Sequence, residues 1–396
     1  MTVSTSNQRR IEREGMSSSP TKPTNATSKH IPELDGVRGL AILLVTLYRF
    51  SRDIPIDTRL GGLLHDALTL GSRGVELFFV LSGFLITGVL LDAKSTTNRY
   101  RNFLARRSLR IFPLYFVALT IFVVIIPILT GRDNPFEQAT DKQFYLWTYL
   151  TNVHMSLAGQ WNFGRLDHFW SLAVEEHFYL IWPTIIFTVP NRWLLRVATI
   201  GFVVCLSSRI AFAAMSQNDV ATDVFSFFRF DAMLIGAMLI IHQRTRSDGN
   251  DRTVGINRLR IGLVVTALAT LAIALFNRRF LTAAETAFPV TFALLIAVVL
   301  RPESRMNLGR LFRSSLLRSL GKYSYAMYVF QSPLIPLVAM LPSSMSVFER
   351  FGGDDSIIAH LCYIAFMFLL TYGIALLSWH ILEKHCLQLK RHFKVA

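Results

Sequence analysis

The stretch His168-Phe-Trp-Ser-Leu-Ala-Val-Glu-Glu-His-Phe-Tyr-Leu-Ile-Trp-Pro183 combines ionisable side chains with an apolar run long enough to sit in a membrane. His168, Ser171 and Glu175 stand at offsets of 0, 3 and 7, which places them on one face of a helix that turns about 100° per residue. Ionisable groups are costly inside a bilayer, so by default they mark a functional site. The stretch therefore predicts a membrane helix that carries such a site.

The composition of the whole chain points to the same environment. Of its 396 residues, 52% are hydrophobic and 17% are charged, with a mean hydropathy of +0.40, whereas soluble domains usually carry about 25% charged residues. The net charge of +15 does not indicate nucleic-acid binding, because the basic residues fall in loops between apolar segments and form no stripe with stacking aromatics. The scattered cysteines fit neither a disulfide framework nor a metal site: Cys205, Cys362 and Cys386.

Apolar runs predict about ten spans, each near the roughly 20 residues that a helix needs to cross a bilayer. They cover residues 33–52, 73–92, 110–130, 169–189, 194–215, 224–242, 259–276, 281–300, 322–341 and 358–382. Lys and Arg concentrate in the even-numbered loops and after the last span, so the positive-inside rule puts both termini in the cytoplasm. We therefore expect an all-α polytopic transmembrane bundle.

The chain ends are expected to lie outside the bundle. Residues 1–30 are polar and lack the apolar core of a signal peptide, which predicts a disordered cytoplasmic tail. Residues 31–385 would form the membrane domain, and residues 386–396 would form a basic cytoplasmic tail.

Polar residues within the predicted spans form two groups by depth. A first group lies toward the outer ends of the spans: Arg49, Glu76, His168, Glu175, Glu176, Arg229 and Asp231. A second, basic group lies toward the cytoplasmic ends: Arg38, Arg106, Arg107, Arg110 and Lys322. The helix order makes it geometrically feasible for each group to form a cluster.

These residues also have structural interpretations, which the sequence leaves open. Arg38 could form an ion pair with Asp35, and His168 could be an interfacial histidine bonded to a backbone carbonyl. Anchoring or helix–helix packing would account for several others: Arg106, Arg107, Arg110, Tyr325, Tyr328 and Gln331. Glu175 and Glu176 are harder to assign to structure alone, because two adjacent carboxylates inside a span need partners.

Six blocks of mixed polar and apolar residues stand out along the chain. They are Leu34-Asp-Gly-Val-Arg-Gly-Leu-Ala41, Gly74-Val-Glu-Leu-Phe-Phe-Val-Leu-Ser-Gly-Phe-Leu-Ile-Thr87, Phe103-Leu-Ala-Arg-Arg-Ser-Leu-Arg-Ile-Phe-Pro-Leu-Tyr115, His168-Phe-Trp-Ser-Leu-Ala-Val-Glu-Glu176, Arg229-Phe-Asp-Ala232 and Leu320-Gly-Lys-Tyr-Ser-Tyr325. In this order they resemble the acyltransferase 3 family of bacterial integral membrane O-acyltransferases. The resemblance covers about residues 31–390 and is much more specific than a single short motif.

The resemblance implies transfer of an acyl group, commonly acetyl, from a cytoplasmic donor such as acetyl-CoA to a hydroxyl of a cell-envelope glycan or its lipid-linked precursor. It places the protein in the bacterial cytoplasmic membrane, with acyl-CoA as a substrate and no bound cofactor. No metal is expected, because no two histidines have the close helical spacing of paired ligands. Many family members carry a further extracytoplasmic hydrolase-like domain, so we expect any such step here to use a separate enzyme partner.

The same resemblance assigns sides to the two groups of polar residues. Arginine recognises phosphate through its planar fork, so the phosphates of coenzyme A would bind at the arginines of the cytoplasmic group, Arg38, Arg106, Arg107 and Arg110. Asp35, beside Arg38, would belong to the same donor site. The glycan would approach the outer group, where further residues would bind it or support the fold: Arg229, Asp231, Tyr328 and Gln331.

One position departs from the family pattern. The family has a basic residue, ten intervening positions and then a histidine in the first span, and that histidine is expected to be catalytic. In this chain the two positions are Arg38 and Arg49. An arginine stays protonated and cannot act as a general base. A second position that is often histidine in the family is Gln331.

Three explanations follow from this departure. His168 could act as the base on the acceptor hydroxyl, with Glu175 or Glu176 orienting it. Arg49 could instead stabilise the developing oxyanion while Glu176 or Glu76 takes the proton, or the chain could have lost catalysis and act as a partner protein. We prefer the first, because the ordinary pKa of histidine lies closest to the operating pH. A transporter or flippase of lipid-linked glycan is the alternative from another class, although no paired Gly- or Pro-broken spans support it.

Overall fold

The computed structural model describes residues 31–52, 59–246, 255–276, 281–301, 308–340 and 357–393. Within these ranges every regular element is a helix, which confirms the predicted all-helical fold. The predicted N-terminal tail, residues 1–30, and the last residues, 394–396, lie outside the described ranges.

Ten long helices account for most of the described chain. They are α1 (Pro32–Ser51), α2 (Gly74–Ala93), α3 (Arg99–Leu119), α4 (Trp170–Thr188), α5 (Asn191–Met215), α6 (Ser226–Arg246), α7 (Ile256–Phe276), α8 (Leu281–Val299), α9 (Ser315–Phe330) and α10 (Ile357–Ser378). Each overlaps one of the apolar segments predicted from the sequence. Shorter helices lie at Arg59–Thr69, Asp219–Val224, Leu308–Phe312, Leu334–Ala339 and Lys384–Gln388.

Five helical segments of the described chain are long and apolar enough to cross a membrane. They are Leu64–Ala93, Arg99–Asp133, Asn191–Met215, Asp219–Thr245 and Ile357–His392. In α5 only 17% of the apolar window is buried inside the protein, and large apolar side chains such as Ile200 and Val203 are exposed. So much exposed apolar surface suits contact with lipid rather than water. The fold is therefore that of a helical membrane protein.

The chain between α3 and α4 folds back over the start of α4. Two short segments, Thr120–Ile125 and Ile126–Thr130, continue α3, and three short helices follow, Glu137–Asp141, Gln143–Trp147 and Thr151–Ala158. Tyr115 of α3 stacks on Tyr149 with ring centroids 4.2 Å apart, and its hydroxyl donates a hydrogen bond to the carbonyl of Leu146. A 3₁₀ turn, Gly164–Phe169, then leads into α4. This packing fixes the segment beside the turn that carries His168.

Two glycines let the helices that carry the site approach one another closely. A Cβ atom added at Gly321 of α9 would overlap the carbonyl of Asp35 in α1, and one added at Gly83 of α2 would overlap the carbonyl of Met233 in α6. Small residues of this kind allow close backbone contact between membrane helices. These close approaches bring α1 against α9 and α2 against α6.

Candidate functional site

Three arginines and two glutamates line a narrow cavity between α1, α2, α3, α4 and α9. Arg38 comes from α1, Arg107 and Arg110 come from α3, and Glu175 and Glu176 come from α4. The cavity, called the Arg38 cavity below, has a volume of about 90 Å³. It is smaller than the roughly 300–1,000 Å³ of usual ligand pockets, so it has room for a thin chain rather than a whole nucleotide.

The side chains of the Arg38 cavity are held by hydrogen bonds and ring contacts. The Tyr179 hydroxyl donates to Glu175 Oε2 at 2.6 Å and lies 2.6 Å from the Ser82 hydroxyl. The guanidinium of Arg107 lies over the Tyr179 ring, 4.9 Å from its centroid. Glu175 is therefore fixed next to the arginines, and the cavity keeps an excess of one positive formal charge.

A second cavity, of about 360 Å³, lies beside the N-terminal end of α4 and is called the His168 cavity. It is lined by Arg49, Glu76, His168, Arg229 and Tyr328, among others. Glu76 accepts from the guanidinium of Arg229 at 2.8 Å, and an ion pair to Arg73 of 3.2 Å adds a second contact. Paired charges of this kind hold the wall of the cavity in a fixed arrangement.

His168 is buried, with 2% of its surface exposed. Its ring lies against the rings of Phe169 and Tyr328, with centroid distances of 4.7 and 5.3 Å. Neither ring nitrogen meets the full geometry of a hydrogen bond to a described residue, although the backbone carbonyls of Arg165, Tyr328 and Val329 lie close to the ring. A buried imidazole on the wall of a cavity, without a fully formed hydrogen bond, is suited to contact a ligand.

The Arg38 cavity and the His168 cavity meet at Tyr328, which lines both of them. The Tyr328 hydroxyl donates to the backbone carbonyl of His168 at 2.9 Å and lies 2.5 Å from the Ser171 hydroxyl. The phenol ring is thus a fixed partition between a basic cavity and a cavity that contains a buried histidine.

The two positions at which the family often has histidine lie in different surroundings. Arg49 lines the His168 cavity and a third cavity that adjoins it, and its buried Nε has no hydrogen-bond partner within the described ranges. Gln331 is fully buried and accepts from the Thr46 hydroxyl at 3.0 Å. Arg49 therefore faces open space, whereas Gln331 bridges two helices, as helix–helix hydrogen bonding predicts.

Glu175 and Glu176 do not join the outer cluster that the sequence predicts. His168 lies in the 3₁₀ turn before α4, whereas Glu175 and Glu176 lie within α4 and line the Arg38 cavity. Glu175 accepts from Tyr179, and neither nitrogen of His168 bonds to a described carboxylate. The prediction that Glu175 or Glu176 orients His168 directly is therefore wrong.

Asp231 also lies apart from the predicted outer cluster. It forms an ion pair of 2.9 Å with Arg209 of α5, and both side chains are 1% exposed. Two residues turn a helix by about 200°, so Asp231 points away from the cavity that Arg229 lines. Its partner Arg209 is distant in the sequence, and no local pattern indicated the pair.

The predicted basic cluster is reduced to three arginines at the cavity. Arg106 donates to the carbonyls of Phe393 and Lys390 at 2.9 and 3.3 Å, because adjacent helix residues point about 100° apart. Lys322 lies over the rings of Tyr323 and Trp379. Arg106 and Lys322 therefore lie outside the Arg38 cavity.

Arg38 and Asp35 form the ion pair that the structural interpretation allows, with a distance of 3.8 Å. The ion pair with Asp35 does not remove the Arg38 side chain from the cavity that it lines. Pairing with Asp35 and a role in the cavity are therefore compatible.

Sequence reasoning missed several side chains that complete the site. Tyr179 stands four residues after Glu175, a spacing that brings two helix side chains together, and this signal was available. Ser82 and the contact of Ser171 with Tyr328 depend on the packing of distant helices, whereas Arg73 stands three residues before Glu76, a local spacing. No group of three His, Cys, Asp or Glu side chains in the described ranges could hold a metal ion.

Comparison with known protein families matches most of the chain. The family model described as "Acyltransferase domain" (Acyl_transf_3) matches residues 31–380. The chain therefore belongs to the acyltransferase 3 family, which confirms the resemblance found in the sequence. No solved structure matches the chain.

Curated relatives narrow the comparison. "Putative peptidoglycan O-acetyltransferase YrhL" of Bacillus subtilis is 29% identical over 381 residues, covering 90% of this chain and 55% of that protein. "Peptidoglycan O-acetyltransferase OatA" of Listeria monocytogenes is 27% identical, covering 80% and 51%. "Putative O-acetyltransferase SACOL0978" of Staphylococcus aureus is also 27% identical, covering 78% and 51%. The chain spans about half the length of the curated relatives it matches.

Proposed function

We propose that this protein moves an acyl group, preferably acetyl, from acyl-CoA in the cytoplasm to a hydroxyl of a cell-wall glycan across the bacterial cytoplasmic membrane. The observation that carries the proposal is the meeting of two polar cavities at Tyr328. One cavity is basic, and the other holds a buried histidine without a fully formed hydrogen bond at its ring nitrogens. The relatives named as peptidoglycan O-acetyltransferases support a cell-wall glycan as the acceptor class.

The proposed topology has about ten spans and both termini in the cytoplasm. The concentration of Lys and Arg in alternate loops supports it through the positive-inside rule. With this orientation the Arg38 cavity opens toward the cytoplasm, where acyl-CoA is made, and the His168 cavity faces the outer side, where the cell-wall glycan lies.

The donor would bind with its phosphates outside the membrane core and its thioester arm in the Arg38 cavity. Arg38, Arg107 and Arg110 supply the guanidinium groups, which bind phosphate oxygens through two parallel hydrogen bonds. The cavity volume of about 90 Å³ favours a short acyl chain. This is the physical reason to expect acetyl rather than a long fatty acyl group.

In the proposed reaction, His168 takes the proton from the acceptor hydroxyl as its oxygen attacks the thioester carbonyl. The carbon–sulfur bond then breaks, the acyl group stays on the sugar oxygen, and the thiolate of coenzyme A receives the proton from His168. Arg49, a permanent cation on the same cavity, would stabilise the oxyanion of the tetrahedral intermediate. Glu76 and Arg229 would hold the acceptor side of the cavity in place.

Tyr328 would keep the two substrates apart until both are bound. Its ring lies between the cavities, and its hydroxyl is anchored on the His168 carbonyl. Because water in the donor cavity would hydrolyse the thioester without an acceptor, a partition at this point protects the donor.

The proposal is tested by transfer of label from acetyl-CoA to glycan by the purified protein in vesicles. Arg107→Gln and Arg110→Gln should raise the KM for acetyl-CoA about tenfold, while Arg101→Gln, an exposed arginine on the same helix, should not. A glycan whose mass is unchanged after it crosses the vesicle membrane would indicate a flippase and would contradict the proposal.

A further inference from the structure

A third cavity adjoins the His168 cavity and is not used by the reaction proposed above. It has a volume of about 440 Å³, which is within the range of pockets that hold small ligands. We call it the Arg165 cavity. It lies between the end of α1, the segment 134–138 and the turn before α4.

Three arginines line the Arg165 cavity: Arg49 and Arg52 from the end of α1 and Arg165 from the turn before α4. Glu137 and Asp167 also line it, so the formal charge of the wall is +1. Asp167 already accepts the Phe163 backbone N–H at 2.8 Å. The cavity therefore favours an anion over a neutral or cationic group.

The Arg165 cavity lies next to the His168 cavity. Arg49, Arg52 and Asp167 line both of them, so a group bound in the Arg165 cavity lies beside a ligand in the His168 cavity. Arg49 stands at the junction, and its buried Nε has no hydrogen-bond partner among the described residues. An unused donor on a guanidinium that faces open space is suited to an acidic ligand group.

We propose that the Arg165 cavity binds an anionic substituent of the acceptor glycan, a carboxylate or a phosphate, next to the sugar whose hydroxyl reaches His168. This inference rests on the proposed function and adds a substrate class to it, namely an acidic glycan. Arg165, which lines this cavity but not the His168 cavity, is then a specificity-determining residue. The fork of a guanidinium matches either a carboxylate or a phosphate.

The test is equilibrium binding of sugars to the purified full chain without any acyl donor, so that its result does not depend on transfer activity. The matched probes are N-acetylglucosamine and N-acetylmuramic acid, which is the same sugar with an added lactyl carboxylate. N-acetylglucosamine 1-phosphate supplies the phosphate arm. We expect the acidic sugars to bind about tenfold more tightly than the neutral one.

Variants assign the preference to the cavity. Arg165→Gln should reduce the tenfold preference for the acidic sugars to about one, and Arg165→Lys should restore part of it because the charge returns. Arg132→Gln is the matched control, since Arg132 is an exposed arginine of the segment after α3 that does not line the Arg165 cavity. It should keep the full preference.

Two results would overturn the inference: equal affinity for the acidic and neutral sugars, or a preference that survives Arg165→Gln in a protein with unchanged melting temperature. A preference for either acid that requires Arg165 supports it, and the tighter of the two acids identifies the group. If the protein prefers the acidic sugars but transfers no acyl group, that result contradicts the proposed function and leaves the inference about the Arg165 cavity standing.

Discussion

The hydroxyl of Tyr328 lies 2.5 Å from the hydroxyl of Ser171, at the point where the Arg38 cavity meets the His168 cavity. One residue comes from α9 and the other from α4, so the partition between the cavities depends on the packing of two helices distant in the sequence. In the proposed transfer, the acyl group and the acceptor hydroxyl would meet at this pair.

Removing the Tyr328 ring should open the partition. We expect Tyr328→Ala to raise the acceptor-independent hydrolysis of acetyl-CoA relative to transfer, because water would then reach the thioester. Tyr328→Phe keeps the ring and should keep hydrolysis low. The measurement is the ratio of free acetate to acetylated glycan. Tyr115→Phe, which loses a buried hydrogen bond outside the cavities, is the control. An unchanged ratio in Tyr328→Ala would contradict the claim that the Tyr328 ring separates the two cavities.

The buried ion pair of Arg209 and Asp231 should be needed for stability as a pair. Asp231→Ala leaves a buried guanidinium without its carboxylate, which should cost about 3–5 kcal/mol. The double change of Arg209→Met and Asp231→Leu removes both charges and should recover most of the loss. Thermal unfolding in detergent measures both variants; a double variant as unstable as the single one would contradict the explanation.

Gly83→Ala should disturb the packing of α2 on α6. The added Cβ would overlap the carbonyl of Met233, and forcing the helices apart should cost about 1–3 kcal/mol. Gly88→Ala, on the same helix, places its Cβ 3.6 Å from Ile240 Cγ1, an ordinary contact, and should be tolerated. Melting temperatures in detergent compare the two, and equal losses at both positions would be evidence against close packing at Gly83.

Asp167 should give the stability a pH dependence near neutrality. Burial raises the pKa of Asp167 to about 6, and the Phe163 N–H and the nearby Arg49, Arg52 and Arg165 offset this only in part. The pKa of Asp167 is higher in the folded state than in the unfolded state, so protonated Asp167 favours the folded state at low pH. This contribution to the free energy of unfolding is lost as the pH rises through about 6.

Asp167→Asn removes this loss, because asparagine stays neutral and its oxygen can still accept the Phe163 N–H. The variant should melt at a higher temperature than the wild type near neutral pH, and the difference should disappear near pH ~4. Asp133→Asn, at an exposed position, is the control. A difference that does not depend on pH would show that burial of Asp167 is not the cause.

The sequence predicts the helices of this protein well because apolar runs and their lengths are local properties. All ten predicted segments overlap helices, and Arg38, Glu76 and His168, which the sequence singles out as candidate site residues, line cavities in the structure. The depth of individual side chains along the helices was predicted less well than the helices themselves. His168 and Glu175 were predicted on one helix face, but His168 lies in the 3₁₀ turn before α4, and the two side chains line different cavities.

Contacts between distant helices could not be predicted in the same way. The pairing of Asp231 with Arg209 and the position of Tyr328 between α4 and α9 arise from packing that glycines such as Gly321 allow. The Arg165 cavity likewise combines the end of α1 with a segment more than eighty residues later. Such combinations depend on the assembled bundle rather than on any local spacing.

The central claim, that His168 is the base of an acyl transfer, is tested most directly by the rate of label transfer from acetyl-CoA to glycan by wild type and His168→Ala in vesicles. We expect His168→Ala to lose at least about 100-fold in rate while acetyl-CoA binding is kept. His154→Ala, a histidine outside the His168 cavity, should stay active. Full transfer by correctly folded His168→Ala would contradict the claim, as would a silent wild type that Arg49→His activates.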